Sequence, residues 1–158
     1  MGREPAGGSG DYEQLLRHQY EEVWANANLD VLEETCSHDL VLYGLPTTDR
    51  SADIQAFREF VESCCAAFSD LSNDIEDVVA DDDRVVVRSR LCGTHDGNRF
   101  LDAEPTGCDV EVGLTTTFRL ERGEVAEAWM CFDTMGLLQQ VGAIPEHPQA
   151  YDWGSIDE

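Results

Sequence analysis

The hydrophobic period of this chain switches from mainly helical to two near residue 70, and that change restricts the fold more than any other feature. Upstream, Tyr12, Leu15, Leu16, Gln19, Tyr20, Val23 and Trp24 recur at helical spacing, which predicts an amphipathic helix from Asp11 that Asn26 and Asn28 stop. A short helix from Leu29 to Thr35 follows, and "LVLYG" (40–44) reads as a short strand running into a turn at Pro46. Residues 51–68 are helical again, with Ile54, Phe57, Phe60 (or Val61), Cys64 and Phe68 on one face and Ser51 as the cap. Downstream the period is two. A strand covers about 72–80, "ADDDR" turns, and "RVVVRSRLCGTH" (84–95) and "VEVGLTTTFRL" (110–120) are long strands. "ERGE" then turns into "VAEAWMCFD", and "TMGLLQQVG" closes as a short helix with Gly142 as its C-cap. Helices first and antiparallel strands after predict an α+β class, with helices on one face of a curved sheet. A single domain over 11–142 is expected, preceded by a disordered segment 1–10 and followed by an acidic irregular tail 143–158.

Charge excludes one class of partner. Thirty-three acidic residues face ten basic ones, all arginine, for a net charge of -23. With no basic patch to neutralise phosphates, nucleic acid is not an expected partner. Such a surface repels itself at low salt and suits a salt-rich cytoplasm, where screening is short-ranged. "MGREPAGGSG" has no apolar h-region and no window is long and apolar enough to span a bilayer, so a cytoplasmic protein with no membrane partner is expected. The six cysteines form no CxxC pair and the four histidines lack metal-ligand spacing, so no metal site is expected.

Alternation assigns the faces. Val85, Val87, Ser89 and Leu91 share the core side of the 84–95 strand, and that set continues through Gly93 to His95. Val110, Val112, Leu114, Thr116, Phe118 and Leu120 share the core side of the next strand. In the last strand Val125, Glu127, Trp129, Cys131 and Asp133 fall on one face, and Ala126, Ala128, Met130 and Phe132 on the other. Asp133 and His95 each end an apolar set, where a cavity mouth would lie. An aspartate desolvated beside a tryptophan could trade protons near neutrality, and a nearby histidine could polarise a carbonyl. The plainer readings stand beside these: Asp133 as the N-cap of the last helix, His95 as a turn residue before Asp96 and Gly97, and the tryptophans as core.

"YEEVWANANLDVLEE", "GTHDGNRFLDAEPTG" and "GEVAEAWMCFDTMGLLQQVG" together resemble the SnoaL-like polyketide cyclase (ester cyclase) family, within the nuclear-transport-factor-2-like superfamily. The resemblance runs in order over roughly residues 11–142. It implies a cone-shaped α+β barrel, a curved, mainly antiparallel sheet wrapped around N-terminal helices, with a deep apolar cavity and a homodimer through the sheet. It also implies ring closure by intramolecular aldol chemistry on an apolar carbonyl compound, without metal or organic cofactor. Asp133 matches the family's general acid/base and His95 the histidine of its GTH motif, while Tyr20, Trp24, Tyr43, Phe118 and Trp129 are the expected substrate-binding walls. Three positions depart from the family. Ala128 stands where a histidine often precedes the tryptophan, and Ala103 and Glu104 stand before PTG where the family often has glycine and a small or apolar residue, Glu104 placing an acid near the expected pocket. A non-catalytic binding protein using the same cavity is the competing function. A dimeric interaction module presenting Ala126, Ala128, Met130 and Phe132 is a third.

Overall fold

The computed structural model describes residues 9–145. Of the segment 1–10, only Ser9 and Gly10 fall within it, already in the first helix; of the tail 143–158, everything after Pro145 lies outside the described residues. The chain runs α1 (Ser9–Tyr20), a π-helical turn (Glu21–Ala25), α2 (Val31–Thr35), β1 (Cys36–Tyr43), α3 (Ile54–Ala67) and β2 (Phe68–Asp81). It continues through β3 (Arg84–His95), β4 (Asp109–Glu121) and β5 (Glu124–Phe132) to α4 (Thr134–Gln140). The five strands lie in the order β1-β5-β4-β3-β2. β1 pairs with β5 in parallel and every other pair is antiparallel. The sheet is therefore mixed and open, with β1 and β2 as its edges.

Capping explains where the helices begin. Asp53, not the expected Ser51, caps α3: it sits directly before the first helical residue and its Oδ1 accepts from the Ala56 N–H at 2.8 Å. Phe68, expected on the helix face, is instead extended and opens β2 opposite His95. The β4–β5 hairpin turns at Arg122 and Gly123, both with positive φ (55° and 82°), which matches the twist of the strands it joins.

The inner face of the sheet is the expected one for two strands. Val85, Val87, Ser89 and Leu91 of β3 and the alternate residues Val110 to Leu120 of β4 are all buried. Tyr12, Leu16, Gln19, Tyr20, Val23 and Trp24 pack over them from one side, and Phe60, Val61 and Cys64 of α3 also join this core. Strand β5 departs from simple alternation. Leu120 pairs with Val125 but Arg119 pairs with Glu127, so Ala126 is an extra residue in a bulge. After it Ala128, Met130 and Phe132 stand opposite Phe118, Thr116 and Leu114 on the core side. Glu127, Trp129 and Cys131 point outward. The expectation that Ala126, Ala128, Met130 and Phe132 form an apolar outer face is thereby corrected, because the bulge turns three of the four inward.

The outer face carries cross-strand rows. Tyr43, Trp129, Thr117, Val86 and Val79 lie side by side across all five strands. Tyr43 stacks on Trp129 with ring centroids 5.9 Å apart, and the Arg84 guanidinium sits 5.3 Å from the Trp129 centroid. Beside this row Arg88 and Arg90 both pair with Glu76, Arg90 also with Glu111, and Arg119 pairs with Glu127 at 2.8 Å.

β4 is longer than β5, which leaves the backbone of Asp109–Gly113 without a strand on that side. The chain after β5 closes the gap. The Asp133 N–H donates to Gly113 O at 3.2 Å. The Gln140 side-chain amide then accepts from Glu111 N–H at 2.7 Å and donates to Glu111 O at 3.0 Å. One glutamine thus serves as a single rung of ladder and pins α4 to the sheet.

Candidate functional site

Between the helices and the inner sheet face lies a cavity of about 30 Å³. Its walls are mostly apolar: Val23, Leu40, Leu42, Val125, Ala128 and Met130, with the rings of Trp24, Phe57 and Phe118. Tyr20 meets Phe118 edge-on at 6.3 Å and Trp24 meets Phe57 at 6.4 Å, which fixes the aromatic walls against one another. Four polar side chains interrupt them: Gln19, Tyr20, Asn73 and Thr116. Gln19 is already committed, donating to Thr35 Oγ1 at 2.8 Å and to Cys36 Sγ at 3.3 Å. Asn73 Oδ1 and Thr116 Oγ1 are buried with no hydrogen-bond partner among the described residues. Buried polar atoms without a partner are uncommon and each costs on the order of 1–3 kcal/mol.

Tyr20 is the chemically distinctive group. Burial pushes its phenol up from the ordinary value near 10 to about 12, against a smaller opposing pull from the Thr116 and Ser89 hydroxyls. Those hydroxyls face the phenol without closing a hydrogen bond of standard geometry, and neither has another partner among the described residues. At neutral pH the phenol is therefore a protonated donor in an apolar setting. Burial likewise pushes the Cys36 thiol up to about 11 and shifts Cys64 in the same direction.

These shifts set the alkaline stability. Each raised group holds its proton more tightly in the folded chain than in the unfolded one. Its stabilisation is complete below the unfolded value and is lost as pH rises through the folded one. Urea unfolding is thus expected to show constant stability up to about pH 9 and a decline toward pH 12, on the order of 1.4 kcal/mol per pH unit for each such group. The Tyr20→Phe variant should decline less steeply between pH 10 and about 12; an identical slope would show that Tyr20 is not the buried titrating group.

The expected site residues divide between two faces. Tyr20, Trp24 and Phe118 line the inner cavity. Tyr43 and Trp129 do not: the β5 bulge puts Trp129 on the outer face, where Tyr43 covers it. Asp133 caps α4, its Oδ1 accepting from Gly136 N–H at 2.9 Å. Glycine at 136 suits this cap, since a Cβ there would lie 2.3 Å from Asp133 Oδ2 and the carboxylate would have to shift. Asp133 borders an open outer hollow of about 920 Å³ shared with Glu76, Arg88, Arg90, Thr115 and Gln140. His95 is fully buried, its ring centroid 5.1 Å from that of Phe68 and its Nε2 3.0 Å from Asn98 O. Asp133 and His95 do not converge on the inner cavity. Glu104 is exposed and 3.5 Å from Arg99 Nε, away from the cavity, whereas Ala128 does line it. Among the described residues no cluster of His, Cys, Asp or Glu is placed to hold a metal ion, and no helix is long and apolar enough to cross a membrane.

Sequence reasoning missed Asn73, Gln19 and Cys36 as cavity residues. Gln19 was legible as a polar residue on the buried stripe of α1. Asn73 was not, because its inward position depends on two bulges in β2, between Ser69 and Ser72 and between Ile75 and Asp77.

Helices packed into a curved, open mixed sheet around an internal cavity define the nuclear-transport-factor-2-like class. Within it the chain belongs to the SnoaL-like polyketide cyclase family, which residues 14–141 match. Solved structures agree in fold. AclR from Streptomyces galilaeus, a candidate hydroxylase, is 25% identical, with a TM-score of 0.78 over 90% of this chain and 87% of that one. A candidate SnoaL-like polyketide cyclase from Jannaschia sp. CCS1 is 24% identical, with a TM-score of 0.77 over 91% of this chain and 100% of that one. TsrD from Streptomyces laurentii is 24% identical, with a TM-score of 0.76 over 87% of this chain and 99% of that one. No curated protein matches the sequence.

Proposed function

We propose that this protein binds an apolar, carbonyl-containing small molecule in the inner cavity and acts on it as a cyclase- or isomerase-type catalyst of its family, without metal. One observation carries the reading: a protonated phenol and two unpartnered polar atoms, Thr116 Oγ1 and Asn73 Oδ1, border a cavity that is otherwise apolar. A few placed polar groups in an apolar cavity are the usual composition of a small-molecule site. A carbonyl oxygen reaching Tyr20 would gain a donor that stays protonated, in a setting where charge developing on that oxygen is strongly stabilised.

The test uses the neutral fluorescent ketone prodan, whose emission moves to the blue in apolar surroundings. Wild type should bind it. Tyr20→Phe and Thr116→Val should each weaken binding about tenfold, the effect of one lost hydrogen bond of about 1.4 kcal/mol. Leu42→Trp, which fills the cavity, should abolish it. Binding that survives Leu42→Trp would sink the reading.

A second reading keeps Asp133 as the acid, as the family resemblance implies, but without the expected help of His95, which is fully buried and does not line the outer hollow. What favours it is that Asp133 uses only Oδ1 in capping and borders the outer hollow beside Arg88 and Arg90, cations suited to an enolate oxygen. Asp133→Asn separates the two. It should leave prodan affinity unchanged on the first reading and abolish turnover of a carbonyl substrate on the second.

A further inference from the structure

The cavity of about 30 Å³ has room for about two waters. A carbonyl compound of any size can occupy it only if the cavity opens into further space, and the structure shows where that space is. A surface hollow of about 440 Å³ lies between the π-helical turn and β2. Tyr20 and Asn73 line both the hollow and the cavity, which places these two residues where the spaces meet.

Both flanks of this junction depart from regular structure. On the helical side the π-helical turn begins at the residue after Tyr20, with the Asn26 N–H reaching back five residues to Glu21 O at 3.3 Å. Such turns are rare and recur at functional sites, because the inserted residue reorients side chains at a cost in helix stability. On the strand side Asn73 stands between the two β2 bulges, which aim its amide inward, where Oδ1 has no partner among the described residues. A regular helix against a regular strand would have closed this seam with alternating apolar side chains.

The mouth is charged. Glu21 and Asp74 line the hollow with Arg17, and Arg17 already pairs with Glu13 at 3.0 Å, so the hollow is net negative. Resting on the reading of the inner cavity as the ligand site, we infer that Tyr20 and Asn73 form the gate through which ligand enters. We infer further that the ligand is an elongated molecule, with its apolar body in the cavity and an uncharged or cationic polar end beside Glu21 and Asp74. Cavity and hollow joined reach several hundred Å³, within the range of about 300–1,000 Å³ typical of small-molecule sites.

Stopped-flow fluorescence tests the gate. Asn73→Ala, which trims one side of the gate, should raise the prodan association rate constant about tenfold, while Ala25→Trp, at an exposed position lining only the hollow, should lower it about tenfold; both lie within the range over which variants of one site differ in association rate. A melting temperature kept by Ala25→Trp excludes unfolding as the cause. The double variant Glu21→Gln/Asp74→Asn should speed association of the anionic probe 1-anilinonaphthalene-8-sulfonate about tenfold and leave prodan unchanged, since only a charged end feels the mouth. Unchanged prodan rates in both Asn73→Ala and Ala25→Trp, with Thr116→Val still weakening binding, would overturn the gate and leave the cavity site standing. No binding of prodan to wild type would overturn the site and the gate together. An unchanged rate for the anionic probe would overturn the inference about the polar end of the ligand.

Discussion

Replacing Gly44 by alanine should lower the stability of the protein by about 3 kcal/mol, from backbone strain and overpacking combined. Gly44 has φ +91°, a conformation that L side chains rarely adopt. A Cβ at this position would lie 1.9 Å from the Met130 carbonyl oxygen. That oxygen belongs to the backbone of β5 and cannot swing aside as a side chain could. Relief requires the exit of β1 to lift away from β5, which disturbs the pairs Leu42–Ala128 and Tyr43–Trp129. Ala128, Met130 and Leu42 all line the inner cavity, so prodan affinity should fall along with stability. Thermal denaturation followed by circular dichroism should show a loss of about 10 °C for a chain of this size. An unchanged melting temperature would mean that β1 does not leave the sheet against Met130.

The second large effect is expected at His95, where alanine should cost about 3 kcal/mol through the lost ring volume. The ring is fully buried against Phe68, and Nε2–H is placed to donate to Asn98 O. The His95 backbone also holds the far end of the following loop, its N–H donating to Cys108 O at 2.8 Å and its carbonyl accepting from Gly107 N–H at 2.8 Å. Those backbone bonds survive in alanine, but the side-chain tie to Asn98 O does not, so His95→Ala should loosen the loop around Asn98, which hydrogen exchange would register as lost protection at Gly97 and Asn98, whose N–H groups bond the carbonyls of Ala67 and Ala66. His95→Phe separates packing from hydrogen bonding. It restores the volume, leaves Asn98 O unpaired, and should recover about half the loss. A histidine acting only on substrate would leave the melting temperature of all these variants unchanged.

Most of the architecture was legible because β3 and β4 are regular. Strict alternation from Val85 to Leu91 and from Val110 to Leu120 identifies the inner face without reference to any partner. The same rule misplaced Trp129, since alternation read straight through Ala126 takes no account of a bulge. The outward turn of Glu127 toward Arg119, with Nε to Oε1 at 2.8 Å, is a cross-strand fact that no single strand carries. Asp133 fits both a cap and an acid in sequence; the cap is built, and its signal is an aspartate directly before the helical run from Thr134. Asn73 escaped for the same reason as Trp129: side-chain direction after a bulge is set by the neighbouring strand.

The glutamine that closes the ladder at Glu111 also bears on solubility of another kind than charge. A backbone segment whose N–H and C=O groups are left open inside a sheet is a template on which a strand from a second molecule can nucleate. Gln140 occupies both groups of Glu111 with one planar amide, too short to be extended by a further strand. The last turn of α4 therefore acts as a plug against aggregation. Its loss, by truncation before Gln140 or by unfolding of α4 alone, would free both groups of Glu111 and convert the end of β4 into an adhesive edge.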